Sequence, residues 1–197
     1  MISGCPPFTI EVSNVMIRFF DITFSLIGLI VVTPLLAVLA MAMYFSSSSP
    51  IFLQARIGRH QRPFLMVKIR TMACDTPSVA SHLVDKTKIS PVGGLLRSSK
   101  IDELPQLWNV LRGEMSLVGP RPCLPNQKEL IDERAARGVF DFRPGITGLA
   151  QISNIDMSTP KRLAEVDQQM LAELSLATYF RYILLTVLGQ GTGDRVK

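Results

Sequence analysis

Hydrophobic positions follow three patterns along the chain, and each pattern predicts a different element. The stretch Ile22–Phe45 is continuously apolar and carries no charge, so it is long enough for a helix that crosses a bilayer. Two short β-rich runs follow, Ile51–Ile57 and Phe64–Ile69, and the polar Gly-containing connection between them predicts a β-hairpin. Later segments show helical spacing, most clearly after Glu103.

Thr33 and Pro34 stand in the middle of the apolar stretch. Proline removes a backbone donor and clashes with the carbonyl four residues earlier, so it breaks or bends a helix. Each half then has roughly a dozen residues, about 18 Å, which falls short of the ~30 Å hydrocarbon core. Two interpretations stay open from the residues: a kinked spanning helix, which composition favours, and a re-entrant helix that enters and leaves on one face.

Composition narrows the class of protein. The net charge of +5 with 47% apolar residues indicates a membrane-associated domain that meets phosphate ligands, acidic lipid headgroups or nucleic acid. Nucleic acid is disfavoured because the basic residues are not interleaved with aromatic ones. Three scattered cysteines and two histidines exclude a disulfide framework and a histidine-rich metal site. Arginines and lysines dominate after the apolar stretch, which predicts a cytoplasmic domain.

Asp102 and Glu103 precede apolar residues at helical spacing. The pattern predicts a helix from about Glu103 to Arg112 that ends at Gly113, with Asp102 as its N-cap. In a purely structural interpretation the two acids cap the helix and complement its dipole. In a chemical interpretation the helix terminus keeps Asp102 ionised and nucleophilic, while Glu103 binds Mg²⁺ or acts as a base. The residues alone leave both open.

Several cations are candidates for phosphate binding near this pair. Lys68 and Arg70 lie two residues apart on a predicted strand and share a face, which suits a diphosphate but also a lipid headgroup. Arg121 lies between Pro120 and Pro122, which fix the backbone and present the guanidinium rigidly. Arg97 is a further candidate, because it lies at the end of a short predicted helix that precedes the acids.

Two helices are predicted near the C terminus. "STPKRLAEVDQQMLAEL" begins at Pro160 after a Ser or Thr cap, and its apolar face suits core or membrane-surface packing. "LATYFRYILLTVLG" carries Arg181 between Tyr179 and Tyr182, which is typical of an interfacial helix. It is too short to span a bilayer.

Four blocks identify a resemblance that covers Arg18 to about Val187. "QARIG", "KIRTM", "LLRSSKIDELPQLWNVLRGEMSLVGPRP" and "RPGITGLAQ" occur in the order found in bacterial sugar transferases, and the chain resembles the small monotopic phosphoglycosyl transferases. The resemblance implies transfer of a sugar-1-phosphate from a UDP-sugar to undecaprenyl phosphate, with release of UMP. Asp102 would be the nucleophile that carries a covalent phosphosugar. Glu103 would bind Mg²⁺, together with Asp102, or activate the acceptor.

The resemblance also assigns the surrounding residues. Pro120 and Pro122 would shape the loop that carries Arg121. The segment after "GLAQ", which reads "ISNIDMSTPKR", departs from the family pattern, so the resemblance assigns no sugar contacts to this loop. The positions that match phosphate- or nucleotide-binding cations are Lys68, Arg97, Arg121 and Arg143.

The expected fold is α+β and predominantly helical. The resemblance implies a re-entrant membrane helix in residues 1–48, broken at Thr33-Pro34, with Thr33 in place of the family serine. A compact cytoplasmic catalytic domain with the β-hairpin and interfacial amphipathic helices would occupy 49–188, and 189–197 would be a flexible tail. The implied location is the bacterial inner membrane. Expected partners are a UDP-sugar, undecaprenyl phosphate, membrane lipids and enzymes of the same glycan pathway, without nucleic acid. The alternative function is non-catalytic lipid binding at the membrane surface.

Overall fold

The computed structural model describes residues 7–47, 49–72 and 91–191. The polar stretch Asp75–Lys88, for which the sequence predicts a loop, and residues 192–197 of the predicted tail lie outside these ranges. The chain is mostly helical, as expected, and contains two small sheets. The elements are α1 (Pro7–Ser47), β1 (Ile51–Ile57), β2 (Pro63–Ile69), α2 (Pro91–Ser98), α3 (Gln106–Leu111), β3 (Ser116–Val118), α4 (Lys128–Ala136), β4 (Gly145–Thr147), α5 (Leu149–Ile152), α6 (Pro160–Ala172) and α7 (Leu176–Val187).

The first helix, α1, runs for 41 residues without interruption. Its segment Val15–Met41 is long and apolar enough to cross a membrane. The predicted break at Thr33-Pro34 is wrong as local structure, because both residues remain helical. Proline removes only one backbone donor, and Thr33 stays in the helix with its Oγ1 donating to Leu29 O at 2.6 Å. The re-entrant topology stays a prediction.

Both halves of α1 contact the rest of the protein. Before the proline, Asp21 is buried against β3 and α7, where it accepts hydrogen bonds from both elements. After the proline, Leu36 and Leu39 pack against the buried pair Ile69 and Leu96. The helix therefore runs along one side of the domain between these two contacts.

The predicted hairpin is confirmed. β1 and β2 pair antiparallel, with Ile51 opposite Ile69 and Ile57 opposite Pro63. Alternate residues of β2 face inward, so Phe64 and Met66 are buried beside α3. Lys68 continues this inward series and is also buried, which places its ammonium inside the domain rather than on a solvated face.

A second sheet, which the sequence did not predict, joins the two most specific motifs. β3 from "SLVGPRP" and β4 from "RPGITG" pair in parallel. Gly119 N donates to Thr147 O at 2.8 Å, and Gly145 N donates to Pro120 O at 2.9 Å. The backbones approach so closely that a Cβ on Gly145 would lie 2.0 Å from Gly119 N. Glycine is therefore required where the two motifs meet.

The C-terminal helices complete the core. α6 begins at Pro160 as predicted, although Thr159 makes no side-chain cap. Tyr179 and Tyr182 of α7 are buried and not interfacial, because they pack with Ile17 of α1 in one apolar cluster. The exposed apolar face of α7 is instead formed by Phe180, Leu184 and Val187.

Candidate active site

The two acids lie in a 3-10 turn that precedes α3. This turn covers Ile101–Glu103, and α3 begins only at Gln106 with Pro105 as its N-cap residue. The prediction that Asp102 caps the helix is therefore wrong. Successive 3-10 turns already bond backbone groups at this end, so no side-chain cap is present. The predicted end at Gly113 is confirmed by its φ of +83°.

Both carboxylates are buried, and Glu103 contacts two cations. Asp102 is 5% exposed and Glu103 is 7% exposed. Glu103 Oε1 accepts hydrogen bonds from Lys68 Nζ at 3.0 Å and from Arg121 Nη2 at 2.9 Å. These two contacts bring three distant segments together at one carboxylate oxygen. Such a cluster suits a ligand that carries several negative charges.

Asn109 fixes α3 against the hairpin. Its Oδ1 accepts from Val67 N at 3.0 Å, and its Nδ2 donates to Leu65 O at 2.8 Å. These bonds satisfy the outer edge of β2 next to Lys68. The contact between Lys68 and Glu103 is therefore set by the docking of two rigid elements, which is how a site keeps its geometry.

Lys100 lies directly before the acidic turn in a left-handed conformation with φ of 59°. Burial lowers the pKa of its ammonium, while Glu103 opposes this shift and Arg121 adds to it. Lys100 Nζ donates to Gln190 O at 3.1 Å. The segment after α7 thus reaches the edge of the site.

Two other predicted cations make contacts away from Glu103. Arg70 Nε donates to Ser49 O at 3.0 Å, and its guanidinium lies over the ring of Phe52 at 5.4 Å. Arg97 does end α2 as predicted, and its Nη1 contacts Met72 Sδ at 3.5 Å. Its buried Nε has no hydrogen-bond partner in the described ranges. Phosphate binding by both residues stays a prediction.

Arg143 lies at the opposite end of α3 from the acids. Its Nε donates to Gly113 O at 2.9 Å. Arg18 of α1 binds the same helix end through Val110 O and Leu111 O at 2.8 and 3.2 Å. Burial lowers the pKa of Arg143 the most, and the nearby charge of Arg18 lowers it further. Both cations complement the negative end of α3, and nucleotide binding by Arg143 stays a prediction.

Sequence reasoning missed the buried polar residues that hold the site. The clearest is Asp167, which interrupts the apolar face of α6 between Val166 and Met170 and pairs with Arg134 of α4. An acid on an otherwise apolar helix face was the available signal. Asp21 gave the same signal within the first apolar helix.

The acids also supply donors suited to Mg²⁺. Among the described residues, no group of three His, Cys, Asp or Glu side chains could hold a metal ion by itself. Mg²⁺ is commonly bound by one or two carboxylates together with substrate phosphates and water. Asp102 and Glu103 match that donor set, although one Glu103 oxygen already accepts two hydrogen bonds. The pair therefore fits an ion shared with a diphosphate.

Comparison with known proteins now decides the family. The sequence profile described as "Bacterial sugar transferase" matches residues 12–191. The chain belongs to this family.

Two curated relatives illustrate the family. The chain is 36% identical over 171 residues to "Uncharacterized sugar transferase EpsL" of Bacillus subtilis, which covers 86% of this chain and 84% of that one. It is 42% identical over 145 residues to the "UDP-glucose:undecaprenyl-phosphate glucose-1-phosphate transferase" of Caulobacter vibrioides. The matched region is 70% of this chain and 54% of that one.

A further relative carries a different sugar in its name. The "Putative undecaprenyl-phosphate N-acetylgalactosaminyl 1-phosphate transferase" of Bacillus subtilis is 39% identical over 111 residues, 55% of this chain and 62% of that one. The match spans most of EpsL but about half of the Caulobacter enzyme. The names of the Caulobacter enzyme and of this relative thus share undecaprenyl phosphate and differ in the sugar.

Proposed function

We propose that this bacterial sugar transferase moves a sugar-1-phosphate from a UDP-sugar to undecaprenyl phosphate and releases UMP. The observation that carries the proposal is the buried carboxylate pair with Lys68 and Arg121 on Glu103 at 3.0 and 2.9 Å. The names of the relatives support the acceptor and the sugar phosphate. The reaction would be the first membrane step of a glycan pathway.

In the first step, an oxygen of Asp102 attacks the β-phosphorus of the UDP-sugar. The bond from that phosphorus to the bridging oxygen breaks, and UMP leaves with the electron pair. The product is an acyl phosphate that joins Asp102 to the sugar-1-phosphate. A carboxylate that approaches a phosphate meets like charge, so nearby cations lower the barrier by stabilising the transferring group. Arg121 and Lys68, which both contact the neighbouring Glu103, would do so.

In the second step, a phosphate oxygen of undecaprenyl phosphate attacks the same phosphorus. The acyl–phosphate bond breaks and Asp102 returns as a carboxylate, which leaves a lipid-linked sugar diphosphate. Glu103 would assist the incoming phosphate as a base or through Mg²⁺. A covalent intermediate removes the need to bind a soluble donor and a membrane-bound acceptor at once.

Mg²⁺ would be held by Asp102 and Glu103 and, when bound, would neutralise part of the diphosphate charge. Chelation should therefore stop UMP release, and added Mg²⁺ should restore it. The melting temperature measured with and without Mg²⁺ gives a second readout, since a bound ion stabilises the folded protein. Full turnover after chelation would contradict the assignment.

The contacts of α1 support a monotopic, re-entrant arrangement in the inner membrane with the domain in the cytoplasm. Asp21 and Leu39, about 27 Å apart along a helix, both contact the same domain. That distance approaches the ~30 Å hydrocarbon thickness. A helix perpendicular to the bilayer would touch a domain outside the membrane near one end only. We therefore expect α1 to bend at Pro34 while it stays helical, and to enter and leave on the cytoplasmic side.

Labelling of Cys5 in intact cells tests this topology. A membrane-impermeant maleimide should label Cys5 only after the cells are permeabilised. Labelling of Cys5 in intact cells would place the N terminus in the periplasm and contradict the re-entrant arrangement.

The variant Asp102→Asn tests the function. The amide keeps the size of the side chain but cannot act as the nucleophile, so UMP release should fall to background. Wild-type protein with a radiolabelled UDP-sugar and no acceptor should retain label on the protein, and the variant should not. The matched control is Asp132→Asn on the exposed face of α4. Full activity of Asp102→Asn would overturn the mechanism.

The same variant separates catalysis from non-catalytic lipid binding. Cosedimentation with anionic vesicles should be equal for wild type and Asp102→Asn under both hypotheses. UMP release by the wild type distinguishes them. A panel of UDP-glucose, UDP-galactose and UDP-N-acetylgalactosamine with undecaprenyl phosphate would identify the donor, and no turnover with any of them would favour the lipid-binding function.

A further inference from the structure

The loop that carries Arg121 is held through four consecutive backbone carbonyls, those of residues 120–123. Each accepts one hydrogen bond, and the donors lie on three elements, β4, α4 and β1. The outer two are bound by backbone N–H groups, and the inner two by arginine side chains. The bonds are Gly145 N to Pro120 O at 2.9 Å, Arg134 Nη1 to Arg121 O at 2.8 Å, Arg56 Nη1 to Pro122 O at 2.9 Å and Ile57 N to Cys123 O at 2.9 Å.

Arg134 is itself fixed by a buried carboxylate. Its side chain is 2% exposed, and its Nε and Nη2 both donate to Asp167 Oδ2, at 2.9 and 2.6 Å. The remaining Nη1 points to the carbonyl of Arg121. The planar guanidinium thus binds a carboxylate on one side and the loop on the other, which the single ammonium of lysine cannot reproduce.

Arg56 holds the next carbonyl from the opposite side of the loop. It lies in β1 and is buried, and its Nε and Nη2 donate to Gln54 Oε1 at 3.1 and 2.6 Å. Its Nη1 reaches Pro122 O. Since Gln54 and Arg56 belong to one strand, the hairpin fixes the direction of this donor.

We infer that Arg134 and Arg56 are positioning residues for Arg121. By fixing the carbonyls of Arg121 and Pro122, they set the direction in which the Arg121 side chain leaves the backbone. That direction places Arg121 Nη2 at 2.9 Å from Glu103 Oε1. The inference rests on the proposed role of Arg121 toward the transferring phosphate.

The inference predicts that the loss of Arg134 or Arg56 slows the reaction because the Arg121 guanidinium is displaced. A guanidinium displaced by about 1 Å loses alignment with the transferring phosphate, and such misplacement costs up to ~100-fold in rate. Because the loss would occur in the transition state, kcat should fall with little change in KM for the UDP-sugar. A residue that only stabilises the fold would leave the kcat of the folded fraction unchanged.

The experiment is a double-mutant cycle on the full-length protein in detergent. UMP release is measured with undecaprenyl phosphate and the most active UDP-sugar of the panel, and rates are normalised to the folded fraction from circular dichroism. Arg134→Gln should lower kcat about 10- to 100-fold in the wild-type background, but less than about 3-fold in the Arg121→Ala background. Arg134→Lys should restore only part of the rate.

Arg137→Gln is the matched control. Arg137 is the C-cap residue of the same helix and contacts Glu133 and Glu165, so it also joins the end of α4 to α6, and neither contact is with the loop. Its kcat should equal that of the wild type. If Arg134→Gln does not fold, Arg56→Gln tests the same inference from β1 and should show the same dependence on Arg121.

The outcomes separate the inference from the function on which it rests. Equal losses in both backgrounds, or unchanged kcat for folded Arg134→Gln and Arg56→Gln, would overturn the positioning role while leaving the transfer reaction intact. Full activity of Arg121→Ala alone would instead remove the proposed role of Arg121. A loss that disappears in the Arg121→Ala background supports the inference.

Discussion

Glu103 and Asp167 are both buried carboxylates bound by arginine, but their surroundings differ. Glu103 accepts from Lys68 and Arg121 through one oxygen, and Arg121 keeps 20% of its side chain exposed. Asp167 is fully buried and pairs with one cation, Arg134, whose side chain is 2% exposed. Its Oδ1 has no hydrogen-bond partner among the described residues.

The difference indicates two uses for the same chemical pair. Two cations on one carboxylate oxygen, with Arg121 partly exposed to solvent, suit an anionic ligand beside Glu103. A one-to-one pair sealed between α4 and α6 has no such capacity, but it orients a donor toward the loop of Arg121. Exposure and charge balance therefore distinguish a carboxylate suited to a ligand site from one that positions a loop, and they do so more clearly than residue type.

The largest effect on stability is expected at the enclosed pair. Asp167→Asn leaves the Arg134 charge buried without a counter-ion, which costs about 3–5 kcal/mol of unfolding free energy. The melting temperature should fall by roughly 6–20 °C, measured by circular dichroism. Asp132→Asn, exposed on α4, is the control and should melt like the wild type. Equal melting of both variants would show that the pair is not needed for stability.

Glu103→Gln should affect turnover more than stability. The amide preserves size but removes the negative charge that Lys68 and Arg121 contact, and with it the carboxylate proposed to bind Mg²⁺. We expect kcat for UMP release to fall about 100-fold, or ~2.7 kcal/mol of transition-state stabilisation. The melting temperature should change less than in Asp167→Asn. A variant with full turnover and a large loss of stability would reverse the comparison, because Glu103 would then be the structural member.

The sequence was sufficient for features that depend on local patterns. Apolar periodicity and turn residues predicted the long helix, the hairpin and α6, and the motif blocks predicted the acids and Arg121. Local patterns were misleading where tertiary contacts decide. Pro34 did not interrupt α1, and the tyrosines of α7 pack in the core rather than at an interface.

Other features of the site depend on pairing between distant segments. β3 and β4 have three residues each, too short for a strand pattern, and form because Gly119 and Gly145 allow close approach. The contact of Arg134 with Arg121 O joins a helix to a loop through one guanidinium. No spacing rule relates these positions, so single-sequence reasoning could identify Arg121 but not the residues that orient it.

Asn109→Ala tests whether the hairpin must be fixed to α3 for Glu103 to meet Lys68. The change leaves Val67 N and Leu65 O without their side-chain partners, at a cost of about 2 kcal/mol. We expect lower stability and a smaller loss of kcat than in Glu103→Gln. Asn126→Ala, in an exposed turn, is the control. If Asn109→Ala lowers stability without any change in kcat, the site does not depend on this contact.

The smallest effect is expected at an exposed ion pair on the same helix as Asp167. Arg162 and Glu165 lie 3.6 Å apart with side chains 65% and 41% exposed. Water screens this pair, so Arg162→Gln should change the unfolding free energy by no more than about 0.5 kcal/mol and leave kcat unaltered. Arg134→Gln, measured in parallel, removes a side chain that is buried and that contacts the loop of Arg121. A comparable loss of stability in both variants would show that burial does not separate the two pairs.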